Sequence, residues 1–202
     1  MKSDVLISHS HNDLSIANKL ANKLESIGIE VFLDGEYWGS CDEFLQKVDD
    51  THCMNEDRTS YSYRKRNFST SVMHMLLATA LAHVIQKTEC VFFLNTRNTI
   101  LSDEYGAMEQ TGSPWIYHEL WMTRLLAPSE RDMSRRKYKG EKKIVASKRQ
   151  VILEGLQASL PVPLEHLEQL SMRDFWKWCE FCQYNYKAGD ALDMLYGKGY
   201  DN

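Results

Sequence analysis

The sequence predicts an α/β domain on a mainly parallel sheet, and three observations carry that expectation. Short apolar runs at 5–8, 29–33 and 90–94 read as strands, helix-patterned stretches separate them, and Gly and Pro number only 10 and 4 in 202 residues. With 43% hydrophobic residues the chain can bury one sizeable core, so a single domain over residues 1–202 is expected.

Asp4 to Ser8 is an apolar strand, followed by Ser10, His11, Asn12 and Asp13, small polar residues able to cap a helix. Over 14–27, Ile16, Leu20 and Leu24 share a stripe with Ala17 and Ala21, while Asn18, Lys19, Asn22, Lys23 and Glu25 lie off it. Gly28 suits the helix stop. The strand at 29–33 then completes a right-handed βαβ unit. An irregular aromatic segment, Glu36-Tyr37-Trp38-Gly39-Ser40, precedes a short helix at 42–48. Residues 51–70 mix Arg58, Arg64, Lys65 and Arg66 with Tyr61, Tyr63 and Phe68, show no clean period, and read as an insertion. Ser69 or Ser71 is expected to cap a helix over 72–87, with a fully buried, central strand at 90–94. After a loop at 95–112, Ser113 is a natural cap and Pro114 a natural first residue for a helix running to about Leu126. Residues 131–149 carry nine Lys or Arg against two acidic residues, a basic loop leading to a strand within 144–153. A last strand is expected at 160–162 and a closing helix at 171–181.

A formal charge of -4 supplies no field to hold a polyanion, so nucleic acid is not an expected partner. The longest apolar stretch, 72–85, is interrupted by His74, Thr79 and His83, and no membrane partner is expected. Met1-Lys2-Ser3-Asp4 leads straight into a strand without an apolar leader, and the five cysteines form no dense framework. Both point to a cytoplasmic chain with reduced thiols. Cys179-x-x-Cys182 lacks a second ligand pair, and His74 and His83 form no zinc-type spacing, so no metal is expected.

In an open parallel sheet, ligands bind outside the carboxyl ends of the strands. Four segments should converge there: Ser8-His9-Ser10, Tyr37-Trp38-Gly39-Ser40, Asn95-Thr96-Arg97, and the start of the Ser113 helix. On that helix Trp115 and Glu119 are four apart and share a face, although Trp115 is equally accounted for as core. His118 falls off that face.

These residues resemble a known family. Asp4-Val5-Leu6-Ile7-Ser8-His9 with Asp13 downstream, the aromatic loop after Phe32-Leu33-Asp34, and above all Ser113-Pro114-Trp115-Ile116-Tyr117-His118-Glu119-Leu120 look like a Toll/interleukin-1 receptor (TIR) domain of the stand-alone, Thoeris-like antiphage type. The resemblance covers about residues 3–180. It implies a flavodoxin-like fold with a mainly parallel five-stranded sheet in the order 2-1-3-4-5, flanked by helices. It also implies cleavage of the nicotinamide N-glycosidic bond of NAD as substrate, with no resident cofactor, in antiphage immune signalling. Glu119 would be the catalytic carboxylate, and Ser8, His9, Tyr37, Trp38, Ser40 and Trp115 the substrate-binding set. TIR–TIR self-association and a downstream effector reached through a diffusible nucleotide would follow. The segment at 51–70 and the basic stretch at 131–149 depart from the family pattern.

The implied chemistry is physically sound for one carboxylate. Nicotinamide leaves from a pyridinium that is already cationic, so the second carboxyl group that protonates an ordinary glycosidic oxygen is not required. Trp38 or Trp115 can stack on the flat cation, and the amides after Ser8 can meet the pyrophosphate. Two other classes fit the same residues: a non-catalytic TIR adaptor acting by self-association, and a nucleoside deoxyribosyltransferase-like enzyme.

Overall fold

The computed structural model describes residues 3–33, 41–102, 109–126, 140–145, 159–185 and 188–196. The chain is α/β with a parallel sheet, as expected. Strand β1 (Val5–Ser8) lies between β2 (Val31–Leu33) and β3 (Cys90–Asn95), parallel to both. On the far side of β3, β6 (Gly140–Val145) pairs in parallel, and β8 (Glu168–Ser171) pairs in parallel with β6.

Helix α1 (Leu14–Glu25) buries Ala17, Leu20, Ala21 and Leu24, the stripe expected from the sequence. It stops where Gly28 takes φ 85°, a conformation costly for a residue with a Cβ. The Gly28 amide donates to the Glu25 carbonyl and the Ile29 amide to Leu24, the paired bonds of a Schellman closure.

Alternation along the strands builds a core on each face of the sheet. Val5, Ile7, Phe92 and Leu94 join α1 and helix α5 (Met172–Asn185), whose Phe175 and Trp178 meet the Phe92 ring edge-on. Helix α6 (Ala188–Leu195), not foreseen, closes this face through Ala191 and Leu192, and the Trp178 indole donates to the Ala191 carbonyl. On the other face Leu6, Phe32 and Val91 pack on Leu81 and Ile85 of α3 (Tyr63–Lys87), while Phe93 meets Ile116 and Leu120 of α4 (Pro114–Leu126).

Several boundaries differ from expectation. Helix α2 (Cys41–His52) is longer than 42–48, and α3 begins at Tyr63 rather than near 72. Ser69 is therefore inside α3, not a cap. Its hydroxyl and the Arg66 guanidinium both donate to the buried Asp49 carboxylate of α2, at 2.7 and 2.8 Å. These side-chain bonds tie α2 to the first turns of α3, a stretch without helical apolar period. Burial pushes the Asp49 carboxyl up, but bonds from Ser69, Arg66 and Cys53 outweigh it and hold the group below the usual range.

The loop expected at 95–112 contains β4 (Leu101–Ser102) and β5 (Glu109–Thr111). Together with β7 (Leu160–Pro161) they make a small antiparallel sheet in the order β4-β5-β7. The strand expected at 160–162 thus belongs to this second sheet, and the one expected within 144–153 lies at 140–145. Helix α3 is long and apolar enough to cross a membrane by length and composition, and only 11% of that window is buried. Leu81 and Ile85 nevertheless fasten it to the core.

Candidate active site

Ser8 is the last residue of β1, paired in register with Phe93, so its side chain emerges at the carboxyl edge of the sheet. Helix α4 is set against that edge from its first turn. The Ser113 hydroxyl accepts from the Ile116 amide at 3.4 Å, the Thr111 hydroxyl accepts from the Ser113 amide at 3.2 Å, and Pro114 opens the helix where an amide would have no partner. His118 faces away from Glu119's side, its Nε2 3.0 Å from the Ala78 carbonyl of α3.

The two elements meet at one hydrogen bond. Ser8 Oγ donates to Glu119 Oε2 at 2.5 Å, and both residues are 1% exposed. A carboxylate so far from water sits in a low-dielectric setting, where its interaction with a developing positive charge is far stronger than in solvent. His9, also buried, has Nδ1 3.1 Å from the Ile7 carbonyl, which fixes the proton on that nitrogen and orients the ring beside Ser8.

Trp115 shares the helix stripe with Glu119, but its ring packs on the core formed by Leu6, Phe32, Leu81, Ile85 and Val91. His74 of α3 meets it edge-on, with centroids 5.6 Å apart. The indole is only partly buried, so packing and an accessible edge coexist. Tyr37, Trp38 and Ser40 lie outside the described residues.

A second polar group joins Asp13 to the Asn95-Thr96-Arg97 segment expected at this end of the sheet. The buried Asp13 carboxylate, at the start of α1, accepts from Thr96 Oγ1 at 2.6 Å and from Asn98 Nδ2 at 2.7 Å. Thr99 Oγ1 in turn accepts from the Thr96 amide at 2.8 Å and donates to the Leu94 carbonyl at 2.8 Å. The turn after β3 is thereby locked to the turn after β1. Run together in sequence, Thr96-Arg97-Asn98-Thr99 was the available signal: three short polar side chains straight after a buried strand. Arg97, between them, is exposed.

One turn past Glu119, the buried Thr123 hydroxyl donates to the Leu120 carbonyl and lies 2.9 Å from His166 Nε2, which therefore donates. Burial holds the His166 pKa below its usual 6.5, opposed by Glu165 and assisted by Arg124. The unfolded chain then binds more protons than the folded one between the two values, so stability falls as pH drops below about 6.5. Urea midpoints at pH 7.5 and pH 5 should show this, and His166→Gln should reduce the difference; an unchanged difference would remove His166 as its source.

Burial pushes the Cys179 thiol up to about 12 and raises Cys182, so both remain protonated and unreactive. No group of three or more His, Cys, Asp or Glu that could hold a metal ion occurs among the described residues. Comparison with known proteins found no matching family model, curated protein or solved structure.

Proposed function

We propose that this chain is a TIR-like, NAD-consuming enzyme in which Glu119 is the essential carboxylate. The observation that carries the proposal is the buried Ser8–Glu119 pair at the carboxyl edge of a parallel sheet, where α/β enzymes bind nucleotides. The finer fold assignment belongs to the same proposal: a flavodoxin-like TIR domain with the strand order 2-1-3-4-5, which the pairing β2-β1-β3-β6-β8 supports.

In the proposed reaction the bond between ribose C1′ and the nicotinamide nitrogen breaks, and its electron pair returns to the ring as neutral nicotinamide leaves. The resulting oxocarbenium-like centre is held by the Glu119 carboxylate, which Ser8 keeps in a single orientation. Water, a nucleophile within the ADP-ribose, or one on a second small molecule then bonds to C1′ and loses its proton. Free ADP-ribose, a cyclic isomer or an adduct is the product according to which nucleophile arrives. On this reading the protein is cytoplasmic, and the product is a diffusible signal to an effector in antiphage immunity.

Purified protein incubated with NAD should release nicotinamide. We further expect specific activity to rise with protein concentration. TIR-like sites resemble composites completed by a neighbour's segment after the second strand, here residues 37–40. Constant specific activity across a concentration series, in protein shown to be monomeric, would remove the assembly requirement. Absence of nicotinamide release at any concentration, with every candidate trigger absent or present, would remove the enzyme itself.

A further inference from the structure

We propose that this chain docks on an anionic lipid bilayer through the outward face of α3, as a peripheral contact and not a crossing. Phe68, Val72, Met75 and Leu76 are exposed by 72, 39, 71 and 62%. At 100° per residue these four fall, with Thr79, within about a 100° arc, opposite the side on which Leu81 and Ile85 enter the core. The bonds and ring contacts that fasten α2 and α4 to this helix reach Arg66, Ser69, His74 and Ala78, all outside that arc. Helix α3 is thus apolar on two sides. One packs on the core and holds the helix to the domain; the other is uncovered, and only 11% of the most apolar window is buried. Single exposed apolar residues are ordinary, whereas a contiguous stripe of large ones marks an interaction surface.

Charge and hydrogen bonding select the occupant. Helix α3 contains no acidic residue. Arg64 and Lys65 extend the arc at its amino-terminal end, and Lys87 borders it at the other, all three exposed. Bases at both ends of an apolar stripe match a bilayer surface, whose anionic headgroups attract Lys and Arg while the acyl boundary takes the apolar side chains. The hydroxyls on this side need no water. Ser71 donates to the Asn67 carbonyl and Thr79 to the Met75 carbonyl, both at 2.7 Å, so neither would carry an unpaired donor into an apolar phase. In sequence His74, Thr79 and His83 interrupt the apolar stretch and argue against a membrane partner. In the fold the His74 ring turns to Trp115 and the Thr79 hydroxyl to its own backbone, which leaves His83 near the basic end of the stripe. The inference is independent of the NAD reading, because it is measured without NAD.

The full chain should float with phosphatidylglycerol vesicles, and its partition coefficient should be about tenfold or more lower on pure phosphatidylcholine. Raising the salt from about 0.1 to about 0.5 M should weaken binding to phosphatidylglycerol. Leu76→Glu or Phe68→Glu should lower the partition coefficient about tenfold or more with an unchanged melting temperature, since both side chains are exposed in the free protein. Arg64→Gln and Lys65→Gln should each lower it about fivefold, the effect of one base near an anionic surface. No flotation with phosphatidylglycerol, flotation indifferent to Leu76→Glu, or equal flotation on both lipids would each overturn the proposal. So would a concentration-dependent association in vesicle-free solution that Leu76→Glu abolishes while vesicles go unbound, because the face would then belong to a protein partner.

Discussion

Glu119→Gln is expected to abolish NAD turnover and to leave the fold in place. The substitution keeps the side-chain volume and an oxygen able to accept from Ser8, and removes only the negative charge. Loss of a preorganised electrostatic partner for the transition state typically costs about 2.7–4 kcal/mol, or a hundred- to thousandfold in rate. Ser8→Ala separates orientation from charge. It retains the carboxylate but removes a hydrogen bond to a charged group, which is worth about 1.5–3 kcal/mol, so its activity should fall between wild type and Glu119→Gln. Nicotinamide release measured beside thermal melting distinguishes this from a purely structural pair. If the wild type turns over NAD and Glu119→Gln does so equally well, the carboxylate has no catalytic role. If both variants lose activity only in proportion to lost folded protein, the bond belongs to the scaffold.

How much of this could be read from the chain depended on which force shapes each segment. The βαβ opening was legible because burial alone determines it: Ala17, Leu20 and Leu24 recur at helical spacing, and Gly28 lies where φ must be positive. The Ser113 cap and Pro114 start were legible for the same kind of local reason, and they place Glu119 correctly on its helix. The start of α3 was not, because residues 63–71 are held by long-range polar bonds to Asp49 that leave no periodic signature. Likewise β8 escaped notice because only Leu170 in Glu168–Ser171 is apolar, and pairing with β6 rather than side-chain pattern makes it a strand. In the candidate site, the sequence singled out Glu119 through its motif context. Its bond to Ser8 joins residues 111 apart, and that proximity follows only from the topology. A core role for Trp115 was one of the two readings the sequence left open, but its partner His74 was not legible, since it belongs to a helix whose packing direction the sequence does not specify.

Asp13→Ala is expected to be the most damaging change outside the hydrophobic core. Asp13 is 4% exposed, and its two carboxylate oxygens take one bond each from Thr96 and Asn98, across 83 and 85 residues of sequence. Removing it leaves a buried hydroxyl and a partly buried amide without their acceptor, and each such loss costs about 1–3 kcal/mol. The combined cost of about 2–6 kcal/mol is a large part of a typical domain's total stability. At about 2–4 °C per kcal/mol for a chain of this size, the melting temperature should fall by roughly 4 °C or more. Asp13→Asn retains one acceptor oxygen and should fall less. Because the same bonds hold the turn after β3 against the turn after β1, the site should loosen with them, and hydrogen exchange at the amides of Thr96, Asn98 and Thr99 should accelerate before global unfolding. A melting temperature within 1 °C of wild type, with those amides equally protected, would show that the network is incidental and that the two turns are held by backbone pairing of β1 with β3 alone.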